Sequence, residues 1–166
     1  TTTLCLIPAV REATTLPLIA AGGIGTGEAI FALMALGAEG VQMGTRFALT
    51  DESSASDIFK EYCLRLNEGD TKLLLKKLAP TRLVTNSFRD RLEAAEGRGA
   101  SAEELRELLG RGRAKKGIFE GDLEEGELEI GQVAALFRRR QSVDEVMKEL
   151  LEGYRRASDK IRSAGL

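Results

Sequence analysis

Residues 16–47, LPLIAAGGIGTGEAIFALMALGAEGVQMGTRF, carry the strongest structural signal in the chain, because two short apolar runs there flank one amphipathic segment. Residues 16–21 are apolar without a polar break, as in a parallel strand that is buried on both faces. Residues 26–37 begin with a threonine that can cap a helix, carry apolar side chains at helical spacing and end in glycine. Residues 40–43 form the second apolar run. The stretch predicts a strand, a helix and a strand, and the crossover helix makes the two strands parallel neighbours.

Each predicted strand ends in a glycine-containing loop at the same edge of the sheet. Gly22 and Gly23 follow the first strand, and Gly44 and Thr45 follow the second. Glycine lets an anion approach backbone N–H groups closely, and the loops after the last two strands of a (β/α)₈ barrel are the usual phosphate site. Either loop alone is more typical of a tight turn. The pair predicts a phosphate site, and it matches neither a Rossmann fingerprint nor a P-loop.

Two stretches resemble one known family. LPLIAAGGIGTGEAI with GAEGVQMGTRF resembles the FMN-phosphate region of the nitronate monooxygenases, formerly called 2-nitropropane dioxygenases. That family also includes the flavin-dependent enoyl-acyl-carrier-protein reductase II. AGGI alone occurs in many phosphate-binding barrels, and Q-M-G-T-R-F after G-A-x-G narrows the resemblance. Residues 113–133, RAKKGIFEGDLEEGELEIGQV, resemble the C-terminal region of the same family.

The resemblance implies an FMN-dependent oxidoreductase. A nitronate monooxygenase oxidises an alkyl nitronate with dioxygen to a carbonyl compound and nitrite, whereas the reductase branch passes hydride from NAD(P)H to an enoyl thioester. The implied cofactor-binding residues are Gly22, Gly23, Gln42, Met43, Gly44 and Thr45. Arg46 either neutralises phosphate charge or forms a structural ion pair. The chain contains no histidine, so we expect the family's catalytic histidine upstream of Thr1 and assign no catalytic residue.

Two other functional interpretations stay open at this point. A non-flavin enzyme with a phosphate-binding barrel would need the same two loops, because the loops recognise phosphate and not the flavin ring. The isolated chain could also be an inactive structural or interaction module. Flavin absorbance of the full-length protein would separate these interpretations from the first.

The length of the chain bounds the fold. A complete (β/α)₈ barrel takes about 250 residues, and this chain has 166. The expected fold class is α/β: the C-terminal part of a (β/α)₈ TIM barrel, with its last two parallel strands and their helices, followed by a mainly helical extension. We expect residues 1–68 to end the FMN-binding barrel and residues 69–166 to form the extension that packs on it. The chain is therefore predicted to be a fragment of a longer enzyme.

Composition narrows the partners and the compartment. A net charge of −2 and a pI near 5.4 give no drive toward nucleic acid or an anionic membrane, and no apolar run is long enough to span a bilayer. Cys5 and Cys63 lie outside any CxxC, so we predict reduced core thiols, no metal site and a cytoplasmic protein. The expected partners are a small-molecule substrate, either a nitronate or an enoyl thioester, and a second copy in a homodimer of the full-length parent.

Helical periodicity and capping signals place several further elements. Residues 4–13 predict a helix with Pro8 in its first turn and the stripe Leu4, Ile7 and Val10. Ser53 or Ser56 begins a helix whose apolar face is Ile58, Phe59, Tyr62, Cys63 and Leu66. Ser142 and Glu145 form a capping box for a last helix, with the stripe Val143, Val146, Met147, Leu150, Leu151, Tyr154 and Ile161.

The intervening segment carries weaker signals. Residues 70–84 predict an extended arm that Pro80 divides, and helices are expected over residues 86–96 and 101–109, the second with a capping box of Ser101 and Glu104. Residues 111–116 are basic and predict a solvated turn. Residues 121–131 hold five acidic side chains between three glycines but lack EF-hand spacing. They predict either a solvated turn or, by the family resemblance, a loop near the barrel mouth, with Gly131 and Gln132 opening a helix.

Overall fold

The computed structural model describes residues 2–165 and has an α/β fold. In chain order, helices α1 to α7 span Thr3–Ala13, Gly27–Ala35, Thr45–Ala48, Asp57–Cys63, Ser87–Gly97, Ala102–Leu109 and Val143–Ser163. Strands β1 to β4 span Ile19–Ala21, Gly40–Gln42, Thr71–Leu74 and Thr81–Val84. A π-helical segment, Lys115–Phe119, and a 3₁₀ helix, Gln132–Leu136, lie between α6 and α7.

Contacts divide the chain into two compact units. Unit 1 combines the residues up to Glu52 with those from Gln141 onward, and unit 2 is Ser53–Arg140. This grouping differs from the expected boundary at residue 68, because the last helix of the chain returns to the elements near its start. The division into a barrel end and an extension concerns the longer enzyme and stays a prediction.

Unit 1 contains the predicted parallel strand pair. β1 and β2 are parallel and in register, with Ile19 opposite Gly40 and Ala21 opposite Gln42. Both strands are shorter than predicted. The expectation that the first strand is buried on both faces is wrong, because Ala20 is fully buried whereas the Ile19 side chain is 55% exposed. In the described sheet β1 pairs only with β2. Within residues 2–165 no further strand lies beside β1, and the Ile19 side chain is therefore only partly covered.

Helix α2 follows β1 as its capping signals predict. The Thr26 hydroxyl accepts a hydrogen bond from the Ala29 N–H at 3.2 Å, and Gly37 takes a φ of +103° after the helix ends. Helix α1 is confirmed as well. It begins at Thr3 and holds Pro8 in its interior, so the prediction that Pro8 lies in the first turn is wrong. Of its predicted stripe, Ile7 is buried and Leu4 is exposed. Ile7 joins Ala20 and the apolar face of α2 in a small core.

Helix α7 completes unit 1. Its predicted capping box is present, with the Ser142 hydroxyl accepting from the Glu145 N–H and the Glu145 carboxylate accepting from the Ser142 N–H. Val146 and Leu150 are buried as the stripe predicts. The same prediction is wrong for Met147, Leu151 and Ile161, which are exposed. Only a narrow strip of α7 packs on the rest of unit 1, because the helix crosses α2 at Gly27 and Gly153.

Unit 2 begins with α4, whose cap is Ser56. The Ser56 hydroxyl accepts from the Phe59 N–H at 3.2 Å, and Phe59 and Cys63 are buried as the apolar face predicts. Ile58 departs from that prediction because it is 55% exposed. Lys60 is almost fully buried and donates a hydrogen bond from its ammonium group to the Ser53 carbonyl at 2.7 Å, which ties α4 to the segment before it.

Residues 70–84 correct the prediction of an extended arm. They form an antiparallel hairpin in which β3 pairs with β4, with Thr71 opposite Val84 and Leu74 opposite Thr81. Pro80 lies in the connection, where it interrupts no ladder hydrogen bond. Leu75 has a backbone φ of 57°, which is unusual for a residue other than glycine, and it is only 2% exposed. The hairpin core it joins includes Leu74, Leu83, Phe88, Leu92 and Leu105.

Helices α5 and α6 match their predictions. The side chain of Asn86 caps α5 by accepting from the Arg89 N–H at 2.7 Å, and Ser101 and Glu104 form the predicted capping box of α6. The basic run that follows is not a simple solvated turn. The Arg113 guanidinium stacks 4.2 Å from the Phe88 ring centroid and donates to the Leu109 carbonyl at 2.8 Å. It therefore belongs to the packing of unit 2.

The acidic segment 121–131 is held against the rest of unit 2 at both ends. Asp122 pairs with Lys116 at 2.9 Å, and Arg113 donates to the Glu125 carbonyl at 2.7 Å. Residues 128–130 run antiparallel beside β4, with the Val84 N–H donating to the Leu128 carbonyl at 3.0 Å. The interpretation as a solvated turn is therefore wrong, since Leu128 and Glu127 are buried. The position of this segment near a barrel mouth stays a prediction.

Candidate phosphate site

Strands β1 and β2 bring the two glycine loops to one edge of their sheet. Ala21 and Gln42 are register partners at the ends of the two parallel strands. Gly22 and Gly23 leave the sheet after the first, and Met43 and Gly44 leave it after the second. Neighbouring strands are about 4.8 Å apart, so the loops start side by side. The sequence-based prediction of this juxtaposition is confirmed.

The first loop has the backbone that only glycine adopts readily. Gly22 has a φ of +94° and Gly23 a φ of +72°. A Cβ built on either residue meets no atom within 4 Å, and the same is true at Gly44. The three glycines therefore face open space that a side chain would fill. Such a surface gives an anion access to the backbone.

Helix α1 contacts the first loop through Thr3. The Thr3 hydroxyl donates to the Gly22 carbonyl at 3.2 Å. This carbonyl lies 19 residues along the chain from Thr3, and the sequence prediction did not include the contact. A threonine at the start of a helix carries no signal that identifies such a distant partner.

The second loop is shorter than predicted. Gly44 is the N-cap of α3, and Thr45 is the first residue of that helix and half-buried, so Thr45 is a helical residue and not part of an open loop. Gln42 ends β2 with an exposed side chain, and Met43 is half-buried. All six residues predicted to bind the cofactor lie in unit 1, on the two segments that leave this edge.

Arg46 resolves the two alternatives that its sequence position left open. Its side chain is 7% exposed and forms an ion pair with Glu149 of α7. The Gln141 amide donates to the other oxygen of the same carboxylate at 2.8 Å. Arg46 is therefore a structural ion-pair residue that connects α3 to α7.

The electrostatics near the start of α2 are those of an ordinary helix N-terminus. The carboxylate of Glu28 lies in the first turn, and its pKa is lowered by a hydrogen bond from its own backbone N–H and by Arg156, whose guanidinium lies 3.1 Å away. Glu28 is exposed. We assign no acid–base role to it.

The cysteines differ from each other. Cys63 is fully buried, as predicted, and burial raises the pKa of its thiol to about 12, which keeps it protonated. Cys5 is exposed, so the prediction that both thiols lie in the core is wrong for this residue. Within residues 2–165, no group of three His, Cys, Asp or Glu side chains is arranged to hold a metal ion. In the same range no helix combines the length and apolar character that a membrane span needs.

Comparisons with known proteins agree with this architecture. The family model described as nitronate monooxygenase matches residues 1–153. The chain therefore belongs to the nitronate monooxygenase family, whose members are oxidoreductases. Probable nitronate monooxygenases of Staphylococcus aureus, strains Newman and USA300 among them, are 39% identical over 98 residues, which cover 57% of this chain and 27% of theirs.

Solved structures with the same fold extend over nearly the whole chain. FabK from Thermotoga maritima aligns with a TM-score of 0.91 and 33% identity, covering 99% of this chain and 52% of that one. Nitroalkane oxidase from Streptomyces ansochromogenes aligns with a TM-score of 0.75 and 30% identity, covering 96% of this chain and 45% of that one. The chain thus spans about half the length of these proteins.

Proposed function

We propose that this chain is the C-terminal part of an FMN-dependent oxidoreductase and forms the phosphate end of its flavin site. In this proposal β1 and β2 are the last two strands of a (β/α)₈ barrel. Gly22, Gly23, Gly44 and Thr45 bind the phosphate through backbone N–H groups. Gln42 and the Thr45 hydroxyl contribute side-chain hydrogen bonds. Met43 lies between them, in the loop that follows β2.

The observation that carries the proposal is the pair of glycine loops at one edge of a parallel sheet. A Cβ at Gly22, Gly23 or Gly44 would occupy open space, so the residues present leave room for an anionic group against the backbone. Parallel β/α units use this edge for phosphate. Neutral N–H donors fixed by the fold bind a phosphate dianion at little reorganisation cost.

When bound, a flavin supplies the redox chemistry, and the role of these residues is to hold and orient its phosphate. The chain contains no histidine. We place the catalytic base of the full-length enzyme outside this chain and assign no catalytic residue within it.

We propose a nitronate monooxygenase as the particular activity: oxidation of a small alkyl nitronate with dioxygen to a carbonyl compound and nitrite. The test is to purify the full-length parent, record its flavin absorbance, identify the released flavin by mass and measure nitrite from an alkyl nitronate. Copurified FMN with nitrite release supports the proposal. A colourless protein that binds another phosphate ligand would contradict it.

The second candidate is the reductase branch, in which NAD(P)H reduces an enoyl thioester. The sequence resemblance covers both branches of the family, so the same purified parent is tested for both reactions. Oxidation of NADPH that depends on an enoyl thioester, without nitrite release from nitronates, would assign the enzyme to this branch. A homodimer of the parent and a cytoplasmic location remain predictions.

A further inference from the structure

Helix α7 contacts α2 so closely that their backbones touch. A Cβ on Gly27 would lie 2.1 Å from the Leu150 carbonyl oxygen and 2.3 Å from the Tyr154 nitrogen. Gly27 is the first residue of α2, four positions after Gly23 of the first glycine loop. The path of that loop is therefore limited by the position of α7.

An aromatic contact extends the same interface. The rings of Phe31 on α2 and Tyr154 on α7 lie 5.5 Å apart between centroids, at an interplanar angle of 73°, which is the preferred edge-to-face arrangement. The ion pair between Glu28 and Arg156 is more exposed and contributes less. The rings and the glycine contact thus fix both the distance and the rotation of α2 on α7.

The same helix holds the second loop. Arg46 lies in α3, two residues after Gly44, and its buried guanidinium pairs with Glu149 of α7. Gln141 orients that carboxylate by donating to its other oxygen at 2.8 Å. Glu149 precedes Gly153 by one helical turn, so one face of α7 contacts the helices that follow both loops.

We propose that α7 sets the spacing of the two glycine loops, and that Glu149 and Tyr154 are positioning residues for the phosphate site. This inference rests on the proposed function. The sheet fixes the loops on one side through β1 and β2, and α7 fixes the helices into which they lead. Hydrogen bonds to phosphate need donor–acceptor distances of about 2.7–3.2 Å, so a displacement of about 1 Å in either loop weakens the site.

The test compares FMN with riboflavin, which has the same ring system but no phosphate, as ligands of the apo form of the full-length parent. Glu149→Gln removes the ion pair with Arg46, and Glu152→Gln is the matched control, because Glu152 is exposed and its ion-pair partner Arg156 lies on the same helix. We expect Glu149→Gln to weaken FMN binding about two- to thirtyfold. Riboflavin binding should change little, and Glu152→Gln should affect neither ligand.

Equal losses for FMN and riboflavin in Glu149→Gln would show general destabilisation and would overturn the inference, as would unchanged binding of both. If Glu149→Gln does not fold, Tyr154→Leu tests the contact with α2 by the same comparison and the same criteria. Gly23→Val separates this inference from the proposed function. If neither Glu149→Gln nor Gly23→Val changes FMN binding, the proposed phosphate site is wrong. If Gly23→Val weakens FMN binding and Glu149→Gln does not, only the role of α7 is contradicted.

Discussion

At the scale of single residues, substitutions of Gly23 and Thr45 test the proposed phosphate site directly. In the full-length parent we expect Gly23→Val to weaken FMN binding by blocking close approach to the backbone, and Thr45→Val to do so by removing a hydroxyl donor. Loss of a hydrogen bond to a charged group is worth about 1.5–3 kcal/mol, or about tenfold or more in affinity. Titration of the apo protein with FMN, followed by flavin fluorescence, measures both effects.

Backbone strain needs its own control for Gly23→Val. Gly112 has a φ of +75°, close to the +72° of Gly23, and a Cβ there also meets nothing within 4 Å. Gly112→Val therefore introduces the same strain at a glycine outside the proposed site. It should lower stability as Gly23→Val does and leave FMN affinity intact. Equal losses of affinity in both variants would attribute the effect to strain.

Glu127 is a buried carboxyl group whose pKa burial raises to about 7, with repulsion from Glu129 adding to the rise and Arg113 opposing it. In the unfolded chain the same group titrates near 4.5. The native state therefore holds the proton more tightly, and its contribution to stability is complete below pH 4.5. That contribution is lost as the pH rises from about 4.5 through 7.

We predict that Glu127→Gln removes this pH dependence, because the amide does not titrate. Relative to wild type, the variant should gain about 2–3 kcal/mol of stability between pH 5 and pH 8. Urea denaturation of the full-length parent across this range measures the difference. Glu107→Gln, at an exposed position on α6, should leave the pH profile unchanged. A profile that stays the same in Glu127→Gln would show that Glu127 is ionised in the folded protein at neutral pH.

At the scale of elements, the crossing of α2 and α7 depends on two glycines with different tolerance. A Cβ at Gly27 meets the backbone of α7, which cannot move without separating the helices. A Cβ at Gly153 meets the end of the Glu28 side chain at 2.8 Å, which can rotate away. The two positions face each other, but only the first is a rigid contact.

We therefore predict that Gly27→Ala destabilises the full-length parent by about 1–3 kcal/mol, as overpacking does, despite the better helix propensity of alanine. Gly153→Ala is the matched control and should be neutral or slightly stabilising. Thermal or urea unfolding of both variants decides the matter. A neutral Gly27→Ala would mean that α7 does not press on α2 in the assembled protein.

At the scale of the whole molecule, unit 1 exposes large apolar side chains beside its two-stranded sheet. Leu4 is 63% exposed, Leu16 70% and Ile19 55%. Strands with one partner leave hydrogen-bonding edges open, and large exposed apolar side chains favour association. Exposure of this kind is typical of a surface that other parts of a longer chain cover.

We predict that the 166-residue chain expressed alone aggregates, oligomerises or stays loosely packed, and that it neither retains FMN nor oxidises a nitronate. Size-exclusion chromatography, calorimetric melting and flavin absorbance test this, with the full-length parent as the control. A monomeric chain that melts cooperatively, copurifies with flavin and releases nitrite would show that these 166 residues are a complete functional domain.

Local sequence signals were enough to predict the starts of α2, α6 and α7 and the strand, helix and strand that carry the candidate site. The caps at Thr26, Ser101 and Ser142 were predictable because each joins residues three apart, so the signal lies within one turn. The parallel strands followed from apolar runs separated by a single helix. The glycine loops and the family resemblance selected the six candidate cofactor-binding residues, whose role stays a prediction.

The covered faces and the contacts between distant residues depend on how the whole chain packs. The pairing of β3 with β4 left no periodic signal in residues 70–84, because a short hairpin is stabilised by cross-strand contacts and by the core beneath it. The exposure of Met147 and Leu151 depends on how narrow the contact with α2 is. Arg46 and Glu149 lie 103 residues apart. Such contacts form only when the chain returns on itself, and no local pattern records where it does so.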